Sequence, residues 1–428
     1  AQTMALTPVM PSVFANYELS LAASKTRGAK QARELGALVE IGGSTDLGLV
    51  STSAVGRNLM KGSSGRSGFT RLDTSFTSNW PGSNLTFRLG DSVTKPGLWG
   101  QVVYFGGVQL GTNFQLTPGF VTQPTAVLNG VSSSPSTVEL YVNDVLRQVS
   151  QVPTGPFAID NASALTGSGE ARMVVRDLLG REVVITQPFF SSARMLAKDL
   201  SDWGAEAGLL RRAYGSSSNR YGPAFVAGAF RHGVTDHLTM EGRVQATREF
   251  AAGGLGAIAP LPAGVLGRAV FATSRDTDAG NGFHGLLGAD KQWKSSAVYF
   301  QAEASTRNFR SLDTDARRPS PRLQWVANFS HSLTARGQFG FAAAGLWSWL
   351  GTKITTLSAN LSFPLGERGT LSAYASKAFG NSNNISLGVT MTIPLEHNRS
   401  MSVVANVAGR QTNVYATAAS GPAISGEP

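Results

Sequence analysis

The chain has 428 residues, of which only 15% are charged, with a formal net charge of +10 and no cysteine. Soluble domains carry about 25% charged residues, so this composition is unusual for a soluble enzyme and suits a transmembrane β-barrel, whose lipid-facing and lumen-facing residues alternate. The lack of cysteine excludes disulfides and thiolate metal sites, and the scattered basic residues, never more than paired, argue against a nucleic-acid partner.

The first part of the chain, residues 1–122, is predicted to form about six strands. Apolar and polar residues alternate from Leu72 to Thr77, which is the period-two pattern of a strand with two different faces. Residues 84–115 are rich in glycine for barrel strands. Residues 1–10 lack the basic start and continuous apolar core of a signal peptide, so we expect a mature chain or a fragment.

Residues 123–192 have a different character and predict a small inserted domain with its linkers. After a linker-like passage, two short strands flank Asn143-Asp144, where positive φ is tolerated in a tight turn. A Pro- and Gly-bounded turn and strand follow at 153–160, and two more strands flank Leu179-Gly180. Five or six short strands in about 58 residues are typical of a β-sandwich-like unit.

The size of this insert fits the inside of a large barrel. A globule of about 58 residues is roughly 25 Å across. About 20 strands tilted by about 40° close into a barrel with roughly 30 Å of lumen, whereas an eight-stranded barrel is filled by its own side chains. We therefore expect the insert to be a plug.

The remainder, residues 193–428, is predicted to form about fourteen strands. Residues 193–200 are interpreted as a connection and 202–212 as a strand, because glycines disfavour the competing amphipathic helix. Within the predicted strand 238–248 the even positions from Leu238 to Ala246 are apolar and the odd positions polar, and 298–307 repeats this design from Val298 to Ala304. Similar patterns occupy 323–333, 353–363, 369–377 and 383–394.

Two uncharged stretches, 250–267 and 337–349, are shorter than the roughly 20 apolar residues of a spanning helix or are broken by proline and glycine. Both are predicted to be strand pairs joined by tight turns.

A soluble β-sandwich remains the alternative for the whole pattern. Predicted strands of about nine to twelve residues, against about five or six in soluble sheets, favour a membrane barrel. So do aromatic residues expected at the membrane interfaces, namely Tyr17, Trp80, Trp99, Trp203, Trp293, Trp325, Trp347 and Trp349.

Three stretches of the chain resemble outer-membrane fimbrial ushers. Residues 135–161, PSTVELYVNDVLRQVSQVPTGPFAIDN, and 167–196 resemble the usher plug, and 71–124 resemble the first part of the usher barrel leading into it. The similarity runs from about Val13 to the end of the chain and is densest over 70–235. It is carried by long runs and by no short generic motif.

The resemblance implies an all-β fold, a large transmembrane antiparallel β-barrel with an inserted β-sandwich plug, in the Gram-negative outer membrane. It implies partners as well: periplasmic chaperone–pilus subunit complexes, pilus subunits and outer-membrane lipid, with no nucleic acid and no cofactor. Subunits would be assembled by donor-strand exchange, which is strand addition to a sheet edge, without a nucleotide. Family barrels have 24 strands and further periplasmic domains at both ends, whereas about 20 strands are predicted here. We therefore expect a fragment or a truncated product.

The candidate functional residues belong to two groups. Residues matching the usher plug signature would form a rigid turn and a core strand of the plug or contact the lumen wall; they are Pro153, Gly155, Pro156, Phe157, Ile159 and Asp160. Residues on polar strand faces or in the hairpin that braces the plug in ushers would line the lumen; they are Arg88, Asp91, Lys95, Glu241, Arg243, Glu303 and Arg307.

Enzymatic chemistry is not indicated. The five histidines have no metal-ligand spacing, and the calcium-loop-like run from Asp276 has Leu287 where the loop's twelfth ligand, a glutamate, would stand. No nucleophile elbow or phosphate loop is present. The main alternative function is a passive or plugged outer-membrane porin or transporter.

Overall fold

The computed structural model describes most of the chain as β-structure. It describes residues 10–24, 32–60, 67–124, 128–132, 136–142, 145–152, 155–159, 167–177, 182–293, 295–314, 319–333, 337–366, 369–381, 383–395, 399–409 and 411–420. In this part of the chain the helical segments are 3-10 turns of three residues, and none is long and apolar enough to cross a membrane.

Twenty strands of 9 to 15 residues, which we call the long strands, form one antiparallel sheet, and six strands of 5 to 11 residues, which we call the short strands, form a separate unit. The first six long strands are β1 (Ser12–Ser24), β2 (Ala32–Thr45), β3 (Gly48–Arg57), β4 (Gly68–Trp80), β5 (Leu85–Val93) and β6 (Tyr104–Thr112). The six short strands are β7 (Leu128–Ser132), β8 (Ser136–Val142), β9 (Val145–Val152), β10 (Gly155–Ile159), β11 (Gly167–Asp177) and β12 (Glu182–Ser191).

The fourteen long strands after the short ones complete the large sheet. They are β13 (Ser201–Arg211), β14 (Tyr221–Thr235), β15 (Leu238–Thr247), β16 (Phe250–Leu261), β17 (Val265–Asp276), β18 (Gly280–Gln292), β19 (Ser296–Ser305), β20 (Leu323–Ser332), β21 (Gln338–Trp347), β22 (Lys353–Pro364), β23 (Thr370–Gly380), β24 (Ile385–Leu395), β25 (Arg399–Ala408) and β26 (Gln411–Ser420).

The large sheet is an up-and-down barrel sheet with the short strands inserted into it. Each long strand pairs with its neighbour along the chain, and β6 pairs with β13 across the insert, with Gly107 opposite Gly208 and Gln109 opposite Glu206. Among the described residues, β1 and β26 each have one paired edge. Six strands before the insert and fourteen after it confirm the fold predicted from the alternating patterns.

The two faces of the sheet differ as the alternation predicts. In β15 the odd-numbered Thr239, Glu241, Arg243 and Gln245 are buried, while Val244 on the other face is 61% exposed. We call the face that carries these polar residues the inner face. The connections described below lie against it, so the opposite, apolar face is the one that meets lipid.

The connections at the two ends of the barrel differ in length. At one end the turns are short, as in 81–84, 236–237 and 262–264, and the insert leaves and re-enters there. At the other end lie longer connections such as 94–103 and 306–322. Outer-membrane barrels have short periplasmic turns and longer external loops. We therefore name them the periplasmic end and the external end.

The insert is a β-sandwich. β8, β9, β11 and β12 form a four-stranded sheet, and β7 and β10 form a two-stranded sheet. Phe157 and Ile159 of β10 pack with Val138, Leu140 and Met173 of the larger sheet in one hydrophobic core. We call β7 to β12 the plug domain. The predicted turns at 143–144 and 179–180 lie outside the described residues.

Two details of the sequence-based prediction are wrong. Residues 338–347 form the single strand β21, whereas 337–349 was predicted to be a strand pair. An added Cβ at Gly345 would lie within 3.0 Å of the Trp325 ring, so this glycine makes room for a large neighbour and does not mark a turn. Trp99 was expected at a membrane interface, but it is 2% exposed and lies against the inner face.

Candidate functional site: the lumenal loop and the plug linker

The connection between β5 and β6 folds onto the inner face of the barrel, and we call residues 94–103 the lumenal loop. Its backbone is held by side chains of the wall. The Lys95 N–H donates to Glu206 Oε1 at 2.6 Å, and the Leu98 N–H donates to Glu241 Oε1 at 2.6 Å. Arg243 donates to the Lys95 carbonyl at 3.1 Å. Buried backbone groups need partners, and here the wall provides them.

The Lys95 side chain ties the loop to the strand that follows the plug. Its ammonium donates to Asp202 Oδ1 at 2.5 Å, to the Trp203 carbonyl at 2.9 Å and to Thr112 Oγ1 at 3.0 Å. Arg231 lies beside both Glu241 (3.6 Å) and Asp202 (3.9 Å). The bases Lys95, Arg231 and Arg243 therefore stand among the acids Asp202, Glu206 and Glu241. Removing one partner of a buried ion pair costs about 3–5 kcal/mol.

The tip of the lumenal loop is apolar and makes two contacts. Trp99 packs edge-on against Phe309, with ring centroids 6.1 Å apart, and Phe309 belongs to the connection between β19 and β20. Leu98 packs against the buried cluster of Met195, Ile258 and Leu266. The loop thus bridges an external connection and the segment that leaves the plug.

That segment, residues 192–200, we call the plug linker. Met195 is fully buried, the Leu196 N–H donates to Thr239 Oγ1 at 2.9 Å, and Arg231 donates to the Arg194 carbonyl at 2.6 Å. The Ala197 N–H donates to the Thr122 carbonyl at 2.8 Å, which joins the chain leaving the plug to the chain approaching it. Beyond the linker, β11 of the plug domain approaches β18 of the barrel. The plug domain is therefore tethered at the inner face.

Glycines of β16 make the docking of the loop possible. An added Cβ at Gly254 would lie 2.8 Å from Trp99 Nε1, and one at Gly256 would lie 2.7 Å from Leu98 Cδ1. Both positions face inward beside the loop. Small residues at these two positions therefore leave the volume that the loop tip occupies.

Asp91 and Arg88 make their contacts with barrel strands, outside the lumenal loop. Asp91 accepts hydrogen bonds from Arg71 and, at 2.6 Å, from the Tyr221 hydroxyl. It also forms an ion pair with the fully buried Arg211 side chain, whose Nη1 lies 3.1 Å from Asp91 Oδ1. Arg88 donates to Thr77 and Ser92, at 3.3 Å each. These contacts brace the strands β4, β5, β13 and β14 beneath the external connection 212–220.

Tyr214, in the external connection 212–220, contacts the same region of the barrel. Its ring stacks on Tyr104 with centroids 3.9 Å apart, and its hydroxyl donates to Asp73 Oδ2 at 2.6 Å. Burial and the hydrogen bond to Asp73 raise the pKa of Tyr214 well above its usual range. The phenol therefore stays protonated as a donor at physiological pH.

The other sequence-predicted residues are not part of this group. Glu303 is on the inner face and Arg307 is exposed in the next connection. In the part of the chain that the structure describes, neither side chain has a hydrogen bond or ion pair. Phe157 and Ile159 are buried in the plug core. Gly155 and Pro156 pair with Ser132 and Val131, and Pro153 and Asp160 lie outside the described residues.

Sequence reasoning missed several contributors, namely Asp202, Glu206, Met195 and Phe309. Asp202 and Glu206 share the alternating face of the predicted strand 202–212, so the period-two pattern could have identified them. Met195 and Phe309 are in irregular segments, where no periodicity indicates which residue turns inward.

The fold and site define a class of protein: an outer-membrane β-barrel with a β-sandwich plug inserted in the chain at its periplasmic end. A family model described as outer membrane usher protein matches residues 63–423. The chain belongs to this family, whose members are pores and assembly platforms and not enzymes.

Two curated relatives illustrate the similarity. The chain is 27% identical over 220 residues to the outer membrane usher protein FimC of Bordetella pertussis, covering 51% of this chain and 25% of that protein. It is 23% identical over 310 residues to the usher YraJ of Escherichia coli, covering 71% of this chain and 34% of that protein. The matches thus span a quarter to a third of those relatives.

Solved structures agree on the fold. The P pilus usher PapC translocation pore aligns with a TM-score of 0.58 at 15% identity, over 93% of this chain and 84% of that one. PapC in an E. coli P pilus tip assembly intermediate aligns with a TM-score of 0.68 at 15% identity, over 96% of this chain and 53% of that one.

Proposed function

We propose that this protein is the pore of an outer-membrane usher, which assembles and secretes pilus subunits delivered by a periplasmic chaperone, and that its plug domain gates the pore. Its partners would be chaperone–subunit complexes, the subunits themselves and outer-membrane lipid, with neither nucleic acid nor a cofactor. The observation that carries the proposal is the plug domain inserted between β6 and β13 and tethered by its linker at the inner face.

The residue roles follow from the same geometry. We propose domain limits of 1–122 and 193–428 for the barrel and 123–192 for the plug with its linkers. Lys95, Glu241 and Arg243 hold the lumenal loop, and the loop holds the plug linker through Leu98. The plug signature residues shape the plug core, as the burial of Phe157 and Ile159 supports. Glu303 and Arg307 line the water-filled path.

Transport through such a pore needs no nucleotide. The resting plug fills the lumen, and docking of a chaperone–subunit complex would shift the population toward a state with the plug displaced. Each incoming subunit then adds its extension as a strand to the preceding subunit. The better complementation in the fibre supplies the free energy.

The proposal is tested by single-channel recording of the purified protein in planar bilayers, before and after addition of a chaperone–subunit complex on the periplasmic side. We expect a mostly closed pore that opens on addition. Subunit–subunit exchange, followed by gel migration of the joined subunits, should proceed faster than without the protein. A closed pore and an unchanged exchange rate after addition would contradict the proposal.

A passive or plugged porin is the second candidate function. It predicts steady conductance for small ions without any chaperone–subunit complex and no change on addition. The hydrogen bonds of the lumenal loop to Glu206 and Glu241 of the wall, and the packing of Leu98 against the cluster that contains Met195 of the plug linker, favour a closed resting pore over this alternative.

A further inference from the structure

The lipid-facing wall of the barrel carries a groove that the pore function does not use. It spans β13 to β17, has a volume of about 980 Å³ and is lined almost entirely by apolar atoms. That volume is at the upper end of the range for small-molecule sites. The groove lies on the outer face, because its large side chains are strongly exposed: Phe230 51%, Val244 61%, Leu255 65% and Phe271 61%.

Cross-strand pairing explains the shape of the groove. Gly242 stands between Phe230 of β14 and Leu255 of β16, while Val244 stands between Gly228 and Gly253. Large side chains therefore alternate with glycines on the outer surface. An added Cβ at Gly242 would meet its nearest atom at 3.6 Å and one at Gly253 at 3.8 Å. These two glycines thus face open space, and tight packing of the wall does not require them.

The groove leads toward a basic rim at the external end. The outward positions that follow Gly253 on β16 and Thr273 on β17 are Ala251 and Arg275, which face each other. Ala251 and Arg275 line a second cavity of about 780 Å³ together with Arg248. Both arginines are exposed, and within the described residues neither has a hydrogen bond or an ion pair.

Two acidic residues, Glu249 and Asp276, also line this rim cavity. Asp276 and Glu249 also line a separate cavity beside Leu210 and Arg310, on the inner side of the wall. Asp276 Oδ1 moreover accepts hydrogen bonds from the backbone N–H groups of Asp278 and Ala279, at 3.0 and 2.7 Å. Arg248 and Arg275 do not line that inner cavity, so their positive charge is presented on the outer side of the rim, toward the membrane surface.

We propose that this outer groove and its rim bind one phosphate-bearing lipid of the external leaflet. The acyl chain would lie over Gly242 and Gly253, and the phosphate would meet Arg248 and Arg275. Hydrocarbon is the surrounding solvent at mid-strand, and guanidinium groups suit phosphate oxygens. The proposal rests on the outer-membrane fold and the direction of the barrel, and it is independent of pilus assembly.

The test is native mass spectrometry of the purified protein in detergent, titrated with dioleoyl phosphatidylglycerol or, in parallel, with dioleoyl phosphatidylcholine. We expect one retained phosphatidylglycerol and weaker retention of the zwitterionic lipid. Each of R248Q and R275Q should weaken retention of phosphatidylglycerol about fivefold. Arg220→Gln, an exposed arginine of the external connection 212–220, is the matched control and should leave retention unchanged.

The groove itself is tested by Gly242→Leu and Gly253→Leu, which fill it from the lipid side. Both should reduce retention of either lipid, and heat-modifiable gel migration should show a folded barrel. Equal retention by the arginine variants or the leucine variants would overturn the proposal. It would also be overturned if inorganic phosphate alone displaced the lipid, or if the wild-type spectrum showed a second copy of the chain in place of lipid.

Discussion

Glu241 shows how one side chain couples the wall to a loop. Its carboxylate accepts the Leu98 N–H at 2.6 Å and lies 3.6 Å from Arg231. Glutamine at this position would keep the size of the side chain but remove its charge. Since hydrogen bonds to charged groups contribute about 1.5–3 kcal/mol, the lumenal loop would be held more weakly.

We therefore expect Glu241→Gln to raise the ratio of open to closed pore about 10- to 100-fold in single-channel recordings. Glu303→Gln is the matched control, because Glu303 is on the same inner face without a hydrogen bond or ion pair among the described residues. It should open no more often than the wild type. Equal effects of the two substitutions would show that the loop contact does not hold the pore closed.

The raised pKa of Tyr214 leads to a prediction about how stability depends on pH. Because the pKa of Tyr214 is raised in the folded protein, its protonated form stabilises the fold below the pKa of an unfolded tyrosine, about 10. That stabilisation is lost as the pH rises through the folded value. Absorbance titration near 295 nm should show a late tyrosine component that Tyr214→Phe reduces. Tyr17→Phe, at a 78% exposed position, should leave that component in place; loss of the component in both variants would contradict the assignment.

Successive residues of β16 face two different environments, the lumenal loop on one side and lipid on the other. Gly254 faces the lumenal loop, whereas its neighbour Gly253 faces lipid. Leucine at 254 would collide with Trp99, and overpacking of this kind costs about 1–3 kcal/mol. Leucine at 253 has open space around it.

We expect Gly254→Leu to displace the lumenal loop and raise the open fraction of the pore, while Gly253→Leu leaves gating unchanged. Single-channel recording measures both, and heat-modifiable migration shows whether each barrel folds. If the Gly254→Leu barrel is folded but its pore opens no more often than the wild type, docking of the loop tip is not needed for closure.

The same elements show what the sequence can and cannot predict. The strands were predictable because period two assigns each residue a face, as in β15, where the buried odd positions match the polar ones. The packing of Leu98 against the cluster that contains Met195 was not predictable, because Leu98 and Met195 both lie in irregular segments. Glycine was ambiguous: in β21 it makes room for Trp325, whereas the pattern suggested a turn.

At the scale of the whole molecule, the central feature is a folded domain tethered at the inner face of a 20-stranded barrel sheet. A lumen of roughly 30 Å is wide enough for a domain of roughly 25 Å. The linker, the lumenal loop and the connection carrying Phe309 form one set of contacts along the inner wall. The proposed closure of the pore thus depends on several parts of the molecule together.

The most direct measurement replaces residues 128–191, the plug domain, with a short Gly/Ser linker and records conductance in planar bilayers. The plug linker and the whole barrel remain in this variant, and heat-modifiable migration shows that the barrel is folded. We expect a large, steady conductance, in contrast to a mostly closed wild-type pore. A folded deletion variant as quiet as the wild type would contradict the gating role of the plug.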